Sequence, residues 1–156
     1  MTGRVKVRAF SPELAEHFDR LNRDWLERFF EVEPIDEAVL TEPQQHIIDP
    51  GGAIFFALLD GRVVGTGALK AHGDEYEITK MGVEPGHQNA GIGRALVLAL
   101  IEAWRGKSGR LLFIETSTKL PQAIHLYEKC GFVRQPTPRP GSAYMRSDVY
   151  LIFENA

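Results

Sequence analysis

A glycine-rich loop between a strand and a helix, at residues 80–96, constrains this chain more than any other stretch. Gly86, Gly91 and Gly93 leave the backbone bare where the loop meets the helix, so that N–H groups there can approach a ligand closely. The first N–H groups of a helix have no partner inside it, and the helix dipole makes that end positive. The loop is therefore either an anion site, most often for phosphate, or only a tight turn.

Length and composition limit the class of protein. The 156 residues fit one domain, which we predict to span residues 4–156. One cysteine, Cys130, excludes an internal disulfide, and the five histidines have no metal-ligand spacing, so we expect no metal. No stretch has transmembrane length and no apolar signal core begins the chain, which predicts a cytoplasmic protein without a membrane partner. The net charge of −3 argues against nucleic acid.

The hydrophobic pattern predicts the element order β-α-α-β-β-β-α-β-α-β-β. Asp60-Gly61 between two strand-like runs predicts a tight hairpin, and Pro43 interrupts the second helical segment. Strands joined by hairpins come first and strands joined through helices come later. This order predicts a mixed α/β fold with a central sheet of six to seven strands and helices on both faces.

The strand before the loop alternates regularly over residues 75–83. A period of two predicts that one face carries Glu75, Glu77, Thr79, Met81 and Val83. Glu75 and Glu77 would then be close enough for one carboxylate to raise the pKa of the other.

The loop matches neither of two common nucleotide-binding motifs. A dinucleotide fingerprint needs Gly-x-Gly-x-x-Gly or Ala tight against a strand, whereas Leu96 occupies the last position and seven residues separate Val83 from Gly91. A phosphate-binding Walker loop needs Gly-Lys-Ser/Thr, which does not occur here.

The pattern Gln88-x-x-Gly91-x-Gly93 after Met81-x-Val83 resembles the acyl-CoA motif of the GNAT acyltransferase superfamily. Residues 123–132, with Ala123, Tyr127, Gly131 and Phe132, resemble the second signature of that family. The resemblance covers about the last hundred residues well and the first fifty in outline only.

The resemblance implies acetyl-CoA as the co-substrate. The pantetheine arm would pair with backbone groups at Met81 and Val83, with Gly82 between them permitting a distortion. The pyrophosphate would bind the loop and helix start, which comprise Gln88, Asn89, Ala90, Gly91, Ile92, Gly93 and Arg94. Leu120 replaces the asparagine that many members carry before the second signature, so Thr116, Ser117 or Thr118 would have to substitute for it.

The resemblance also implies direct transfer of an acetyl group to an amine. Tyr127 is the candidate acid for the departing thiolate, or else a packing residue against Phe132. Glu77 is the candidate base, or else it binds a cationic acceptor while water alone takes the proton.

The acceptor would be a small molecule or peptide amine, and a cationic primary amine is favoured by the acids on its side of the site, Glu31, Glu33, Glu75 and Glu77. The substrate-binding candidates are Phe29, Phe30, Glu33 and Glu75. A homodimer is one assembly that the resemblance allows. A different class of function shares the same loop, namely a non-catalytic acyl-CoA-binding sensor or partner-regulating domain.

Overall fold

A seven-stranded sheet forms the centre of the computed structural model, which describes residues 5–88 and 90–154. The strands are β1 (Val5–Ala9), β2 (Ala53–Leu59), β3 (Arg62–His72), β4 (Glu75–Val83), β5 (Leu111–Thr116), β6 (Phe132–Arg134) and β7 (Val149–Phe153). The helices are α1 (Ala15–Phe29), α2 (Pro34–Thr41), α3 (Ile92–Arg105) and α4 (Pro121–Lys129), with a 3₁₀ turn at Pro12–Leu14 and a π turn at Gln44–Ile48.

The strand order across the sheet is β1-β2-β3-β4-β5-β7-β6. Within the described residues, β4 and β5 form the parallel pair, joined through α3, while the other neighbours are antiparallel. The predicted mixed α/β sheet and element order are confirmed.

Local sequence signals explain two of the connections. Asp60 and Gly61 have φ values of 53° and 81°, which matches the positive φ at both central residues of the tight hairpin expected there. Pro43 separates α2 from the π turn, because its ring and missing N–H do not let the α-helix continue.

Helices cover both faces of the sheet, as predicted. Residues of α1 and α2, such as Phe18 and Leu40, share a core with Phe56 of β2. Residues of α3 and α4, such as Leu100 and Ile124, share another core with β3, β4, β5 and β7. In the part of the chain that the structure describes, no helix combines the length and apolar character that a membrane crossing needs.

A β-bulge in β4 overturns the predicted alternation of its faces. Thr66 pairs with Gly82 and Ala68 pairs with Thr79, so that Gly67 alone lies opposite both Lys80 and Met81. Lys80 has a φ of 54°, in the left-handed region that a lysine rarely adopts. An extra residue reverses the faces beyond it.

The reversal moves Met81 and Val83 to the other side of the sheet. Both pack against the core under α3, on the side of Ile78 rather than of Glu77. Lys80 instead points to the side of α2, where it meets Asp36. The prediction that Met81 and Val83 share a face with Glu77 is therefore wrong, and the distortion centres on Lys80 rather than on Gly82.

Gly82 serves a different purpose, which is the close approach of α1. A Cβ atom at this position would lie 2.9 Å from the backbone oxygen of Leu21 and 3.2 Å from a ring carbon of Trp25. Since backbone cannot rotate away as a side chain can, a glycine is needed where β4 passes beneath α1.

We expect Gly82→Ala to lower the free energy of unfolding by about 1–3 kcal/mol, the usual range for an overpacked core. Chemical denaturation with circular dichroism detection measures this change. Gly106→Ala is the matched control, because its nearest atom would lie 3.5 Å away and its φ of −78° suits alanine. Equal stabilities of the two variants would contradict the close approach of α1.

Candidate active site

A cavity of about 530 Å³ opens where β4 separates from β5. The two strands pair only from Glu75 with Leu111 to Glu77 with Phe113, and they diverge beyond this point. The cavity wall includes β4 past the split, the end of β5 and the first part of α4. Backbone groups on the facing edges there lie outside the β4–β5 ladder, so an extended ligand could pair with them as an added strand.

The start of α3 forms one end of this cavity. Gly91 caps the helix with a φ of 79°, and the hydrogen bond from Ala95 N to Gly91 O begins the helical series. The N–H groups of the three helical residues before Ala95 therefore have no acceptor within α3. The wall here includes Gln88, Gly91, Gly93 and Arg94. These donors, together with the helix dipole, suit an anion such as a phosphate.

Glu77 lies in the cavity wall at the point where the two strands separate. The residue is 3% exposed, and its Oε1 lies 2.9 Å from Nε2 of His72, the last residue of β3. The His72 ring packs on Phe113 with 5.6 Å between ring centroids. The carboxylate is thus buried, oriented by one partner and directed at the cavity.

Glu115 of β5 supplies a second carboxyl group to the same cavity. Burial raises the pKa of Glu115, and the charge of Glu77 adds to the increase, while a hydrogen bond from Ser142 opposes it. Among the described residues, its Oε1 is buried without a hydrogen-bond partner. Because an unpaired buried oxygen costs free energy, this atom points to a donor supplied by a ligand.

Tyr127 reaches the cavity from α4. It is 6% exposed, and its ring meets Phe132 edge-on with 6.4 Å between centroids. Burial raises the pKa of its hydroxyl well above the usual value for tyrosine, and the neighbouring Cys130 adds to the increase. Tyr127 is therefore a protonated O–H donor throughout the neutral pH range.

A buried ion cluster connects α2, the bulge of β4 and the loop before β7. Asp36 accepts from Lys80 Nζ at 2.8 Å and from both terminal nitrogens of Arg146, each at 2.8 Å. Its Oδ2 also accepts from the N–H of Glu33, the residue that caps α2, and Glu33 in turn accepts from Arg146 at 3.1 Å. The cluster is charge-balanced, and in the described residues no group of side chains could hold a metal ion.

Aromatic rings surround the part of the cavity next to this cluster. The Arg146 guanidinium lies 4.5 Å from the ring centroid of Tyr144, 5.8 Å from that of Phe30 and 6.0 Å from that of Trp25. All three rings and Phe29 line the cavity. This end therefore offers an apolar wall with two carboxyl groups, Glu77 and Glu115, beyond it.

The sequence matches the acetyltransferase (GNAT) family over residues 18–132. The chain belongs to this family. The family membership predicted from the two signatures is thereby confirmed. The GNAT match runs from within α1 to the start of β6 and includes the cavity residues up to Tyr127, while Tyr144, Arg146 and Ser147 lie beyond it.

The names of relatives of this GNAT chain refer to different acetyl acceptors. The N-alpha-acetyltransferase RimI of Mycobacterium tuberculosis is 31% identical over 117 residues, which cover 72% of this chain and 68% of RimI. A mycothiol acetyltransferase of Thermomonospora curvata is 37% identical over 89 residues, which cover 55% of this chain and 29% of that protein. The chain thus spans under a third of the length of the mycothiol acetyltransferases that it matches.

Solved GNAT structures share the fold. An acetyltransferase of Staphylococcus aureus Mu50 superposes with a TM-score of 0.84 at 16% identity, over 96% of this chain and 98% of that one. The PaiA N-acetyltransferase of Thermoplasma acidophilum, solved in complex with coenzyme A, superposes with a TM-score of 0.73 at 17% identity, over 97% and 99%. At these identities the likeness shows the fold alone.

The structure gathers most of the predicted site residues around one cavity. Those in its wall are Phe29, Phe30, Glu77, Met81, Gly82, Val83, Gln88, Gly91, Gly93, Arg94 and Tyr127. Glu75 lies outside it and is paired with Arg110 at 2.6 Å, while Glu33 belongs to the ion cluster. Ile92 is buried in the core under α3, and Ala90 is exposed in the loop. Asn89 lies outside the described residues, as do the ends of the predicted domain, 4 and 155–156.

Sequence reasoning missed several residues of the site, namely Asp36, His72, Lys80, Glu115, Tyr144 and Arg146. A lone acid within the apolar strand at 111–117 was a usable signal for Glu115. No local pattern marks Arg146, because its partner Asp36 is 110 positions away in sequence. Of the predicted substitutes for the missing asparagine, Thr116 and Ser117 line the cavity, whereas Thr118 hydrogen-bonds Asp148.

We expect Asp36→Asn to lower the free energy of unfolding at neutral pH by about 3–5 kcal/mol, because it leaves Lys80 and Arg146 without a full counter-charge. Chemical denaturation measures the change. Asp74→Asn is the control, since Asp74 makes a surface pair with Arg110 and should change stability little.

The stability difference between wild type and Asp36→Asn should depend on pH. Burial alone would raise the pKa of Asp36, but Arg146 and Lys80 outweigh it and lower that pKa to about 2. A carboxyl group whose pKa is lower in the folded than in the unfolded protein stabilises the fold at every pH above its unfolded pKa of about 4. This stabilisation is lost as pH falls toward the folded pKa of about 2. The difference in the free energy of unfolding between wild type and Asp36→Asn should therefore decrease below about pH 4. A constant difference would contradict the depressed pKa.

Proposed function

We propose that the chain is an acetyl-CoA-dependent N-acetyltransferase that transfers acetyl directly to an amine. One observation carries the proposal: a single cavity joins the α3 N-terminus, the split between β4 and β5, Tyr127, the buried Glu77 and the half-buried Glu115. Family membership supports it. Acetyl-CoA fits the cavity because its anionic end needs the donors at α3 and its extended amide arm needs backbone groups of the split strands.

Binding of the co-substrate would use mainly the backbone of this chain. The N–H groups at the start of α3 would hold the pyrophosphate, with Gln88 and Arg94 beside them. The edge of β4 around Met81, Gly82 and Val83 would pair with the pantetheine arm. Thr116 or Ser117 would stand in for the missing asparagine side chain.

Amide formation requires an amine without its extra proton, since an ammonium has no lone pair. Glu77 would accept that proton, because it is buried at the fork of the strands and faces the cavity. Tyr127 would stabilise the departing thiolate and protonate it, because burial keeps its hydroxyl in the O–H form.

Glu115 would bind the acceptor rather than accept the proton. Its Oε1 has no hydrogen-bond partner among the described residues, and an ammonium entering the cavity would supply a donor. The raised pKa of Glu115 also makes it the rival candidate for the base. The paired variants described below separate these two roles.

The acceptor class is a primary amine that arrives as a cation, on either a small molecule or a peptide. Of the acids that suggest a cation in the sequence, Glu33 and Glu75 are held in ion pairs with arginines, and Glu31 does not line the cavity. Glu77 and Glu115 therefore carry the argument, together with the aromatic wall formed by Trp25, Phe29 and Phe30. The cytoplasmic location, the homodimer and the absence of nucleic-acid or membrane partners stay predictions.

We expect Tyr127→Phe to lower kcat by about 100-fold or more while the Kd of acetyl-CoA hardly changes, since only the O–H donor is lost. Release of the CoA thiol measures kcat, and calorimetry measures the Kd. His125→Gln, on the exposed side of the same helix, is the control and should match wild type. Unchanged turnover in Tyr127→Phe would remove it as the acid.

We expect Glu77→Gln and Glu115→Gln to change different kinetic constants. Without its base, Glu77→Gln should lose about 100-fold in kcat and recover as pH rises toward the amine pKa, where free amine becomes abundant. Glu115→Gln should instead raise the KM for the amine with a smaller loss of kcat. The reverse pattern would make Glu115 the base and Glu77 the binding group.

Thiol release with a panel of amines tests the function as a whole. Turnover of cationic primary amines supports the proposal, and turnover of neutral or acidic acceptors alone would end the cationic assignment. Tight binding of acetyl-CoA with no thiol release for any amine would favour the acyl-CoA-binding sensor instead.

A further inference from the structure

We propose that His72 carries the proton of each turnover from Glu77 to solvent. The inference rests on the proposed acetyltransfer, in which Glu77 accepts a proton from the amine. Nothing in the transfer itself removes this proton again, and Glu77 must lose it before the next ammonium binds. His72 would act through Glu77, so it is a positioning and relay residue rather than one that touches the substrate.

Exposure differs sharply between the two partners. The side chain of Glu77 is 4% exposed, whereas that of His72 is 32% exposed, and 2.9 Å separates Glu77 Oε1 from His72 Nε2. Glu77 lines the cavity and His72 does not. The imidazole therefore lies between a buried carboxyl group and the solvent, on a path that avoids the cavity occupied by substrates.

The surroundings hold the imidazole in this position. His72 closes β3 directly before the turn at Gly73 and Asp74, and it pairs with Glu75 across the hairpin. Its ring packs on Phe113, whose other contacts include Tyr150 and the guanidinium of Arg139 at 4.3 Å.

The other charged groups near Glu77 and His72 either form ion pairs with other residues or are carboxyl groups. Lys80 is bound to Asp36, and Glu75 to Arg110. Arg139 lies over Phe113 and 3.7 Å from Glu75. Glu115 acts electrostatically on Glu77, while Tyr144 hydrogen-bonds with Lys80. Among the described residues near Glu77, His72 is thus the group with two proton-carrying atoms and access to solvent.

The protons balance over one turnover, in which the ammonium loses two of its three. One of them replaces the proton that Tyr127 gives to the thiolate. The other goes to the Glu77 carboxylate, and the carboxyl group passes it to Nε2 of an imidazole protonated at Nδ1. The resulting imidazolium releases the Nδ1 proton to water, which leaves an ionised Glu77 beside a neutral His72 that donates from Nε2. When Glu77 is next protonated, Nδ1 takes up a proton from water and Nε2 gives one to water, so that Nε2 can accept again.

A purely orienting role for His72 makes a different prediction from a relay. Glutamine can still donate a hydrogen bond to Glu77, but it cannot bind and release a proton. His72→Gln therefore keeps the orientation and removes the relay, whereas His72→Ala removes both and leaves room for a small base. Imidazole added to the His72→Ala enzyme is the probe that restores only proton transfer.

The experiment measures kcat and KM by thiol release for wild type, His72→Gln, His72→Ala and Glu77→Gln, each with and without added imidazole. We expect both His72 variants to lose about 10-fold or more in kcat with an unchanged KM for acetyl-CoA. Imidazole should restore His72→Ala but neither His72→Gln nor Glu77→Gln. His125→Gln, an exposed histidine on α4, should match wild type and ignore imidazole.

Two results would overturn the relay. One is a wild-type kcat in His72→Gln, which would show that a hydrogen bond suffices. The other is no rescue of a folded His72→Ala enzyme, with folding checked by its melting temperature. Wild-type thiol release separates this failure from that of the proposed function, because a wild type that releases no thiol removes both, whereas an active wild type with either result removes the relay alone.

Discussion

The β-bulge at Lys80 and Met81 is the constraint on which the site depends. The extra residue turns Met81 and Val83 toward α3 and leaves Lys80 on the side of Glu77 and α2. A bulge also bends its strand, and β4 leaves β5 three residues before it. The same local irregularity thus accompanies both the cavity and the reversal of the faces around it.

A left-handed lysine at the centre of a strand needs compensation, since the conformation is costly for a residue with a Cβ. Lys80 also loses hydration, because its side chain is 2% exposed. The Asp36 carboxylate offsets the lost hydration by holding the ammonium at 2.8 Å, while Arg146 binds both oxygens of the same carboxylate. Such a pair contributes little net stability but is costly to break from one side. Its effect is to fix α2, the bulge and the loop before β7 in one arrangement.

The two carboxyl groups of the cavity show how environment separates similar side chains. Glu77 already has His72 at hydrogen-bond distance, whereas Glu115 has a buried oxygen without a partner among the described residues. An amine entering between them would meet one group already paired and one in need of a donor. The proposed division into a proton acceptor with an exit and a binding carboxyl group follows from that difference.

The sequence by itself determined the family, the element order and the glycine-rich helix start at one end of the cavity. These depend on local signals: hydrophobic periods, Asp60-Gly61, and the spacing of Gly91 and Gly93 at a helix start. The faces of β4 beyond residue 79 and the partners of Glu77 depend on strand register and on contacts between distant segments. No period within one strand reveals a bulge, and no local pattern joins Asp36 to Arg146 across 110 positions. Only the tertiary structure decided these, because register and long-range ion pairs are set by how the elements pack together.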